Sequence, residues 1–355
     1  MSSIPVTVVI GSAGRRLYLI DWFRQAFDTL GVDGRVVVTE NDKTSSSATY
    51  GDICRILPSY GDSAYESALL DLIADLEPLL FISVNDYELL HLHVTTDLAD
   101  RMRQSGVLVP GVSAEWQRGC ADKLQMAKML TAIGVRTAPT VAGGDSAGLS
   151  ALMAGSDDVV VKHRFGSGSS GLAIVPAEKA AEAVSESLLS APTTTGGPPS
   201  PDDVVVQPRL SGVEHGIDIV GALRAPGELA GVLARRKMRM RAGETDKAVS
   251  VDPAPFTANS ALIAEASGLT GLIDVDMFLD ENGLSTVIDI NPRFGGGYPF
   301  VHLAGADVPL YCLAQALGRD VGQEWASYEP GVVSAKYESV RVTARESASL
   351  PDSAQ

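Results

Sequence analysis

The chain has 355 residues, enough for two or three domains of about 150 residues each, and its 45% hydrophobic content supports packed cores rather than global disorder. Its 28 basic residues against 44 acidic ones leave a net charge of −16, which argues against nucleic acid or an anionic membrane surface as partner. Cys54, Cys120 and Cys312 fit neither a disulfide framework nor a zinc spacing, no apolar run reaches the roughly 20 residues that span a bilayer, and no basic-then-apolar leader opens the chain, so a cytoplasmic protein is expected.

In chain order, residues 6–10 read as a strand ending in Gly11-Ser12-Ala13-Gly14. Leu17, Ile20, Phe23, Phe27 and Leu30 then recur at helical spacing, and Val36–Val38 form a second strand. Tyr65–Leu76 reads as a helix, Leu79–Val84 as a strand, His91–Gln104 as a helix and Val107–Pro110 as a short strand. Strands alternating with helices predict an open, parallel α/β domain over 1–112. A second unit begins near Ser113, with a helix over Asp122–Ile133 closed by Gly134, a strand at Val159–Lys162 and a helix over Glu178–Leu189. Residues 191–203, rich in Pro, Gly and Thr, read as an irregular surface loop. Six strands follow: Val204–Gln207, Gly216–Leu223, Leu229–Met240, Ala248–Val251, Leu272–Leu279 and Ser285–Ile290. A helix near Ser260–Ala266 interrupts them, so this half is expected to be α+β with antiparallel sheets. The tail beyond Val342 reads as frayed.

Four segments carry chemistry. Gly11-x-x-Gly14 follows a strand, but Arg15-Arg16 come next and the third glycine of a dinucleotide fingerprint is missing, so a plain strand–helix turn is the simpler reading. Lys162 ends a strand and leads into His163-Arg164-Phe165-Gly166-Ser167-Gly168-Ser169-Ser170-Gly171, a loop able to wrap backbone N–H groups around phosphates, or else a flexible hairpin. Val204–Gln207 breaks at Pro208 and restarts at Glu214, a connector that could meet an adenine edge. Finally, Asp289-Ile290-Asn291-Pro292-Arg293 follows Asp276 across the turn Asp280–Gly283. Period-two alternation sets Asp289 and Asn291 on one face, and Asp274 and Asp276 on one face of the preceding strand. A hairpin would bring Asp276 beside Asp289, giving hard oxygens suited to Mg²⁺ and no evident lysine partner for either acid. Asp-Asn-Pro turn chemistry is the structural alternative.

In this order the motifs resemble the ATP-grasp superfamily, most of all one half of a carbamoyl-phosphate synthase large chain, from about Val6 to Leu317. The resemblance implies a Rossmann-like pre-ATP-grasp domain over 1–112, a two-lobed ATP-grasp domain over 113–325 with its glycine-rich lobe at about 135–206, and a C-terminal segment over 326–355. It implies that Lys123 and Lys162 contact ATP phosphates with Gly166, Ser167, Gly168, Ser169, Ser170 and Gly171. By the same resemblance Gln207 and Leu210 form the adenine hinge, Glu214 is the ribose acid, and Asp276, Asp289 and Asn291 are the Mg²⁺ ligands. Arg293 stabilises the transferred phosphoryl group, and Lys237 and Arg239 share a strand face with Arg235 where a γ-phosphate contact is often placed. Asp86 reads first as a helix cap.

Two metal positions are Asp where longer side chains are usual, which leaves one or two Mg²⁺ ions open, with Mn²⁺ as a substitute. The implied activity is ATP-dependent joining of a small-molecule carboxylate to an amine, such as amino acids or short peptides, through an acyl phosphate. Substrates are expected near Gly295–His302, where Tyr298 and His302 are available. The alternatives are a phosphotransferase that stops at a phosphorylated acid, a nucleotide-binding module without chemistry, and an NAD-dependent enzyme. One grasp unit and no glutaminase signature exclude a complete carbamoyl-phosphate synthase. A homodimer is an expectation by analogy.

Overall fold

Apolar β-branched runs fill the first sheet. In a computed structural model, which describes residues 5–166, 171–191 and 198–345, the chain opens with β1 (Val6–Gly11), α1 (Leu17–Leu30), β2 (Gly34–Glu40), β3 (Ile53–Ile56), α2 (Tyr65–Leu76) and β4 (Leu80–Ser83). The strands are parallel in the order β3-β2-β1-β4. Leu19, Ile20, Phe23 and Phe27 bury one stripe of α1, and Gly31 ends the helix in the left-handed conformation that glycine tolerates.

The helix expected over His91–Gln104 is instead broken. α3 (Asp86–Leu90) runs into one wide turn at His91–Thr95, and α4 (Leu98–Gln104) restarts after it. Thr96 causes the break: its backbone is extended, and its hydroxyl donates to His91 O (2.8 Å) while accepting from Leu98 N (3.3 Å). The expected strand at Val107–Pro110 reduces to a single bridge between Leu80 and Leu108.

The next stretch contains α5 (Ala114–Cys120), α6 (Lys123–Ala132), β5 (Val141–Ala142), α7 (Ser146–Ala154), β6 (Asp158–His163), β7 (Ala173–Pro176), α8 (Ala180–Ser187) and β8 (Val204–Pro208). Asp122 caps α6 by accepting from Leu124 N and Gln125 N. The strands form an antiparallel sheet ordered β5-β8-β6-β7, with Val159, Val161, Val184 and Val206 in its small core. The loop expected at 191–203 gains one 3₁₀ turn, Pro201–Asp203, where Asp203 accepts from Ser200 N (2.8 Å); residues 192–197 lie outside the described residues.

The largest sheet is antiparallel. It is built from β9 (Val213–Gly221), β10 (Leu229–Arg241), β11 (Glu244–Val251), then after α9 (Thr257–Ser267) β12 (Gly271–Leu279) and β13 (Ser285–Asn291), and after α10 (Tyr298–His302) and α11 (Val308–Ala316) β14 (Val333–Ala335). Its order is β13-β12-β9-β10-β11-β14. One face packs on α5, α6 and α9 through Trp116, Leu130, Ile219, Ile263 and Ile273. α11 returns to α1, so Trp22 and Phe23 share a core with Leu233, Leu272, Phe294 and Tyr311. That shared core holds the parallel sheet's carboxyl edge against the antiparallel sheet. Among the described residues no helix is long and apolar enough to cross a membrane. Of the frayed end expected beyond Val342, residues 343–345 are described and carry no helix or strand, and residues 346–355 lie outside the described residues.

Candidate functional site

The hairpin β12–β13 is closed by Asp280, which accepts from Asn282 N (3.0 Å) and Leu284 N (2.9 Å). Its register places Asp276 opposite Asp289 and Asp274 opposite Asn291. Asn291 Nδ2 lies 3.5 Å from Asp289 Oδ2. Pro292 then turns the chain, and Arg293 reaches Asp86 Oδ2 (2.8 Å) and Asn291 Oδ1 (3.4 Å). Asp86 is therefore not the helix cap. Asn85 caps α3, accepting from Tyr87 N (2.9 Å) and Glu88 N (3.2 Å), which leaves the Asp86 carboxylate for Arg293.

Beneath the hairpin lies a row of buried charges. Arg235 on β10 donates to Asp218 (2.5 Å) and to Asp274, with Arg235 and Asp218 essentially inaccessible. Lys237 Nζ sits between Glu214 Oε1 and Asp276 Oδ1, 2.7 Å from each. The sequence reading finds no lysine for these acids; the structure supplies one to Asp276, because β9 brings β10 within reach of β12. Asp289 has no ion-pair partner among the described residues. Burial pushes the Asp276 carboxyl up to about 6, an effect opposed by Lys237 and reinforced by Asp274 and Glu214. Burial works against the Lys237 charge too, but Asp276 and Glu214 outweigh it and hold its pKa above the ordinary lysine value. Arg239 leaves this face: two register irregularities flank it, and its side chain, 61% exposed, turns to Asp246 (2.5 Å).

The glycines after Arg293 have a packing reason. A Cβ on Gly297 would strike the Arg235 guanidinium, and one on Gly295 the Asp274 carboxylate. The turn thus lies directly on the buried ion pair, and that contact ties Arg235 to the position of Arg293.

Lys162, at the end of β6, faces the same acids. Its ammonium is buried, 3.4 Å from Ile288 O. Burial lowers its pKa to about 8; Asp289 opposes that shift and Lys123 adds to it. Lys123 Nζ donates to Gly166 O (2.7 Å), and Arg164 grips Asp122 at 2.8 and 2.6 Å, so the start of α6 anchors the root of the glycine-rich loop. Gly166 and Gly171 both have positive φ, the latter pressed on His163. Ser167, Gly168, Ser169 and Ser170 lie outside the described residues. Gln207 is buried and its amide donates to Thr140 Oγ1 (2.7 Å), while Leu210 is half-buried just past β8.

The donors present are hard oxygens, the set that Mg²⁺ takes. Asp86 Oδ1 and Arg293 Nε are buried beside them with no partner among the described residues, an acceptor and a donor left for a ligand or ordered water.

At the turn after β1, Gly14 N is consumed by Glu40 Oε1 (2.6 Å), which also accepts from Ser47. A dinucleotide site would need that N–H and that acid free. Tyr298 is closed to a substrate and His302 is half-buried in a stack. Tyr298 is fully buried and its hydroxyl accepts from Val308 N (2.9 Å). His302 stacks on Trp22 with ring centroids 3.7 Å apart, and burial lowers its pKa to about 4. Both residues pack the parallel sheet's helix layer to the rest of the molecule.

A family model described as ATP-grasp in the biosynthetic pathway with Ter operon matches residues 200–340, and one described as PylC-like, N-terminal domain matches residues 8–109. No curated protein matches the chain in sequence. Among solved structures, a biotin carboxylase–beta-gamma-ATP complex from Campylobacter jejuni is 16% identical with a TM-score of 0.69, over 91% of this chain and 74% of that one. The biotin carboxylase domain of 2-oxoglutarate carboxylase from Hydrogenobacter thermophilus, a dimer with MgADP and bicarbonate, is 16% identical with a TM-score of 0.69, over 92% and 73%. L-amino acid ligase from Bacillus licheniformis is 15% identical with a TM-score of 0.67, over 94% and 79%.

Proposed function

We propose that this chain is an ATP-grasp ligase that joins a small-molecule carboxylic acid, such as an amino acid or short peptide, to an amine through an acyl phosphate. The observation that carries the reading is the juxtaposition of Asp276, Asp289 and Asn291 on paired strands, with Arg293 beside them and the buried Lys162 facing them.

A carboxylate is a poor electrophile because attack pushes more charge onto an anion. Its oxygen attacks the γ-phosphorus of ATP, ADP leaves, and the acyl phosphate forms. The amine nitrogen then attacks the acyl carbon, phosphate leaves, and the nitrogen loses a proton to give the amide. Lys123 and Lys162 hold the phosphates, with Gly166 and Gly171 at the two ends of the glycine-rich segment. Gln207 and Leu210 border the adenine and Glu214 the ribose. Lys237 is assigned the γ-phosphate, and Arg239 only the rim of this region. Asp276, Asp289 and Asn291 would hold Mg²⁺, which would offset charge on the phosphate oxygens. Arg293 donates to the transferring group in the transition state. Residues 1–112 supply the wall facing this centre, through Asp86.

Incubation with ATP and Mg²⁺ across amino acids, singly and in pairs, tests the reading. Equimolar ADP and free phosphate that require both an acid and an amine are expected. Accumulation of a stable phosphorylated acid, or no ADP with any pair, contradicts it.

A further inference from the structure

The loop Gly11–Arg16 plays no part in the chemistry above, yet it ends in two arginines at the carboxyl end of β1. There the strand order reverses between β2 and β4, the place where open α/β sheets take ligands. Arg16 Nη1 donates to Val84 O (2.9 Å), two residues before Asp86, the partner of Arg293. Arg15 extends across to β11, its Nη2 3.8 Å from Glu244 Oε1. Lys336, just past β14, donates to the other oxygen of Glu244 at 2.8 Å. A Cβ on Gly296 would lie 3.4 Å from Lys336 Nζ and 3.6 Å from Glu244 Oε2, so this group borders the turn that follows Arg293.

A continuous wall therefore runs from the reaction centre at Arg293 to Arg15 and Lys336. It holds four cations, Arg15, Arg16, Arg293 and Lys336, against the carboxylates of Asp86 and Glu244, in a chain of net charge −16. Glu244 already shows the geometry an anion takes here, one oxygen toward the guanidinium and one on the ammonium. With Arg15 90% exposed and Glu244 49% exposed, the arginine contact is weak and exchangeable.

We propose that the acid substrate carries a second anionic group, carboxylate or phosphate, which Arg15 and Lys336 bind at the outer end of this wall in place of Glu244. The inference rests on the ligase reading, since it is Arg293 that marks the reacting end. Glu244 is then a resident stand-in, and the substrate is a dianion whose two charged ends span the wall.

Calorimetric titration of the full chain, with Mg²⁺ and ADP present, tests this using glutamate beside glutamine and phosphoserine beside serine. The charged member of at least one pair should bind about tenfold tighter or better than its uncharged counterpart; the phosphoserine pair alone assigns a phosphate, the glutamate pair a carboxylate. The double variant Arg15→Ala/Lys336→Ala should lose that advantage with ADP affinity unchanged. Glu244→Gln, which removes the stand-in without removing a cation, should tighten the same anion. Equal binding within both pairs, an advantage that survives the double variant, or weaker binding in Glu244→Gln overturns the proposal. Failure of ADP to bind while the anion preference persists removes the nucleotide reading instead and leaves the anion site in place.

Discussion

Glu88 in the parallel half and Asp274 in the antiparallel half are both buried acids, and they are satisfied by opposite means. Glu88 accepts from Tyr65 (2.6 Å), Ser83 (2.5 Å) and Ser12 (3.0 Å), all hydroxyls. Burial raises its pKa, an effect that those hydrogen bonds oppose. Asp274 and Asp218 instead share the Arg235 guanidinium, and Asp276 takes the Lys237 ammonium. Hydroxyls close a polar cluster upon itself. Arg235 and Lys237 oppose the effect of burial on Asp218 and Asp276, whose carboxyls nonetheless stay above the ordinary carboxylate range. Hydroxyls turn the polar cluster of the parallel sheet inward, whereas the cations of the six-stranded sheet lie beside the proposed metal and phosphate site.

The largest effect that can break this contrast is on Arg235. Arg235→Met leaves two buried carboxylates without their cation and should cost about 3–5 kcal/mol in urea unfolding. A loss below about 1 kcal/mol, the level of an exposed ion pair, would mean the pair is not buried as described. Next comes Arg293→Ala, expected to lower kcat about 10²–10³-fold while ADP affinity stays within about threefold. Turnover and nucleotide binding falling together would place Arg293 in ground-state binding.

A smaller effect belongs to Lys162. With its pKa lowered to about 8 in the free protein, bound phosphates should restore the charge, so ADP binding near pH 8.5 should take up protons. Calorimetry in buffers of different ionisation enthalpy reads this, and Lys162→Met should abolish it; uptake unchanged in that variant would assign it elsewhere. The smallest effect is on Glu88. An acid whose folded pKa is raised binds more protons native than unfolded, so its contribution to stability falls as pH rises above the ordinary value of 4.5. Glu88→Gln should flatten that slope and cost about 1 kcal/mol or less at low pH. A slope that persists in the variant would move its source to another group.

Much of this was legible in the sequence, for identifiable reasons. Alternation along β12 and β13 and the turn at Asp280–Gly283 are local, so the facing of Asp276 and Asp289 follows from a hairpin alone. The lysine on Asp276 is not local, because it depends on β9 lying between β10 and β12. Arg293 with Asp86 spans 207 positions, and only the docking of the two sheets brings them together. The helix α11 escaped notice because it is buried on nearly every side and shows no polar stripe. The break at Thr96 turns on one hydroxyl outcompeting the backbone, which hydrophobic period does not register.

A crystal structure of the protein soaked with Mg²⁺ and a non-hydrolysable ATP analogue bears most directly on the central assignment. Mg²⁺ should sit about 2.1 Å from oxygens of Asp276, Asp289 and Asn291, with the triphosphate on Lys162 and Arg293 at its γ end. Nucleotide bound away from the β12–β13 hairpin, or metal that leaves Asp289 untouched, would contradict it.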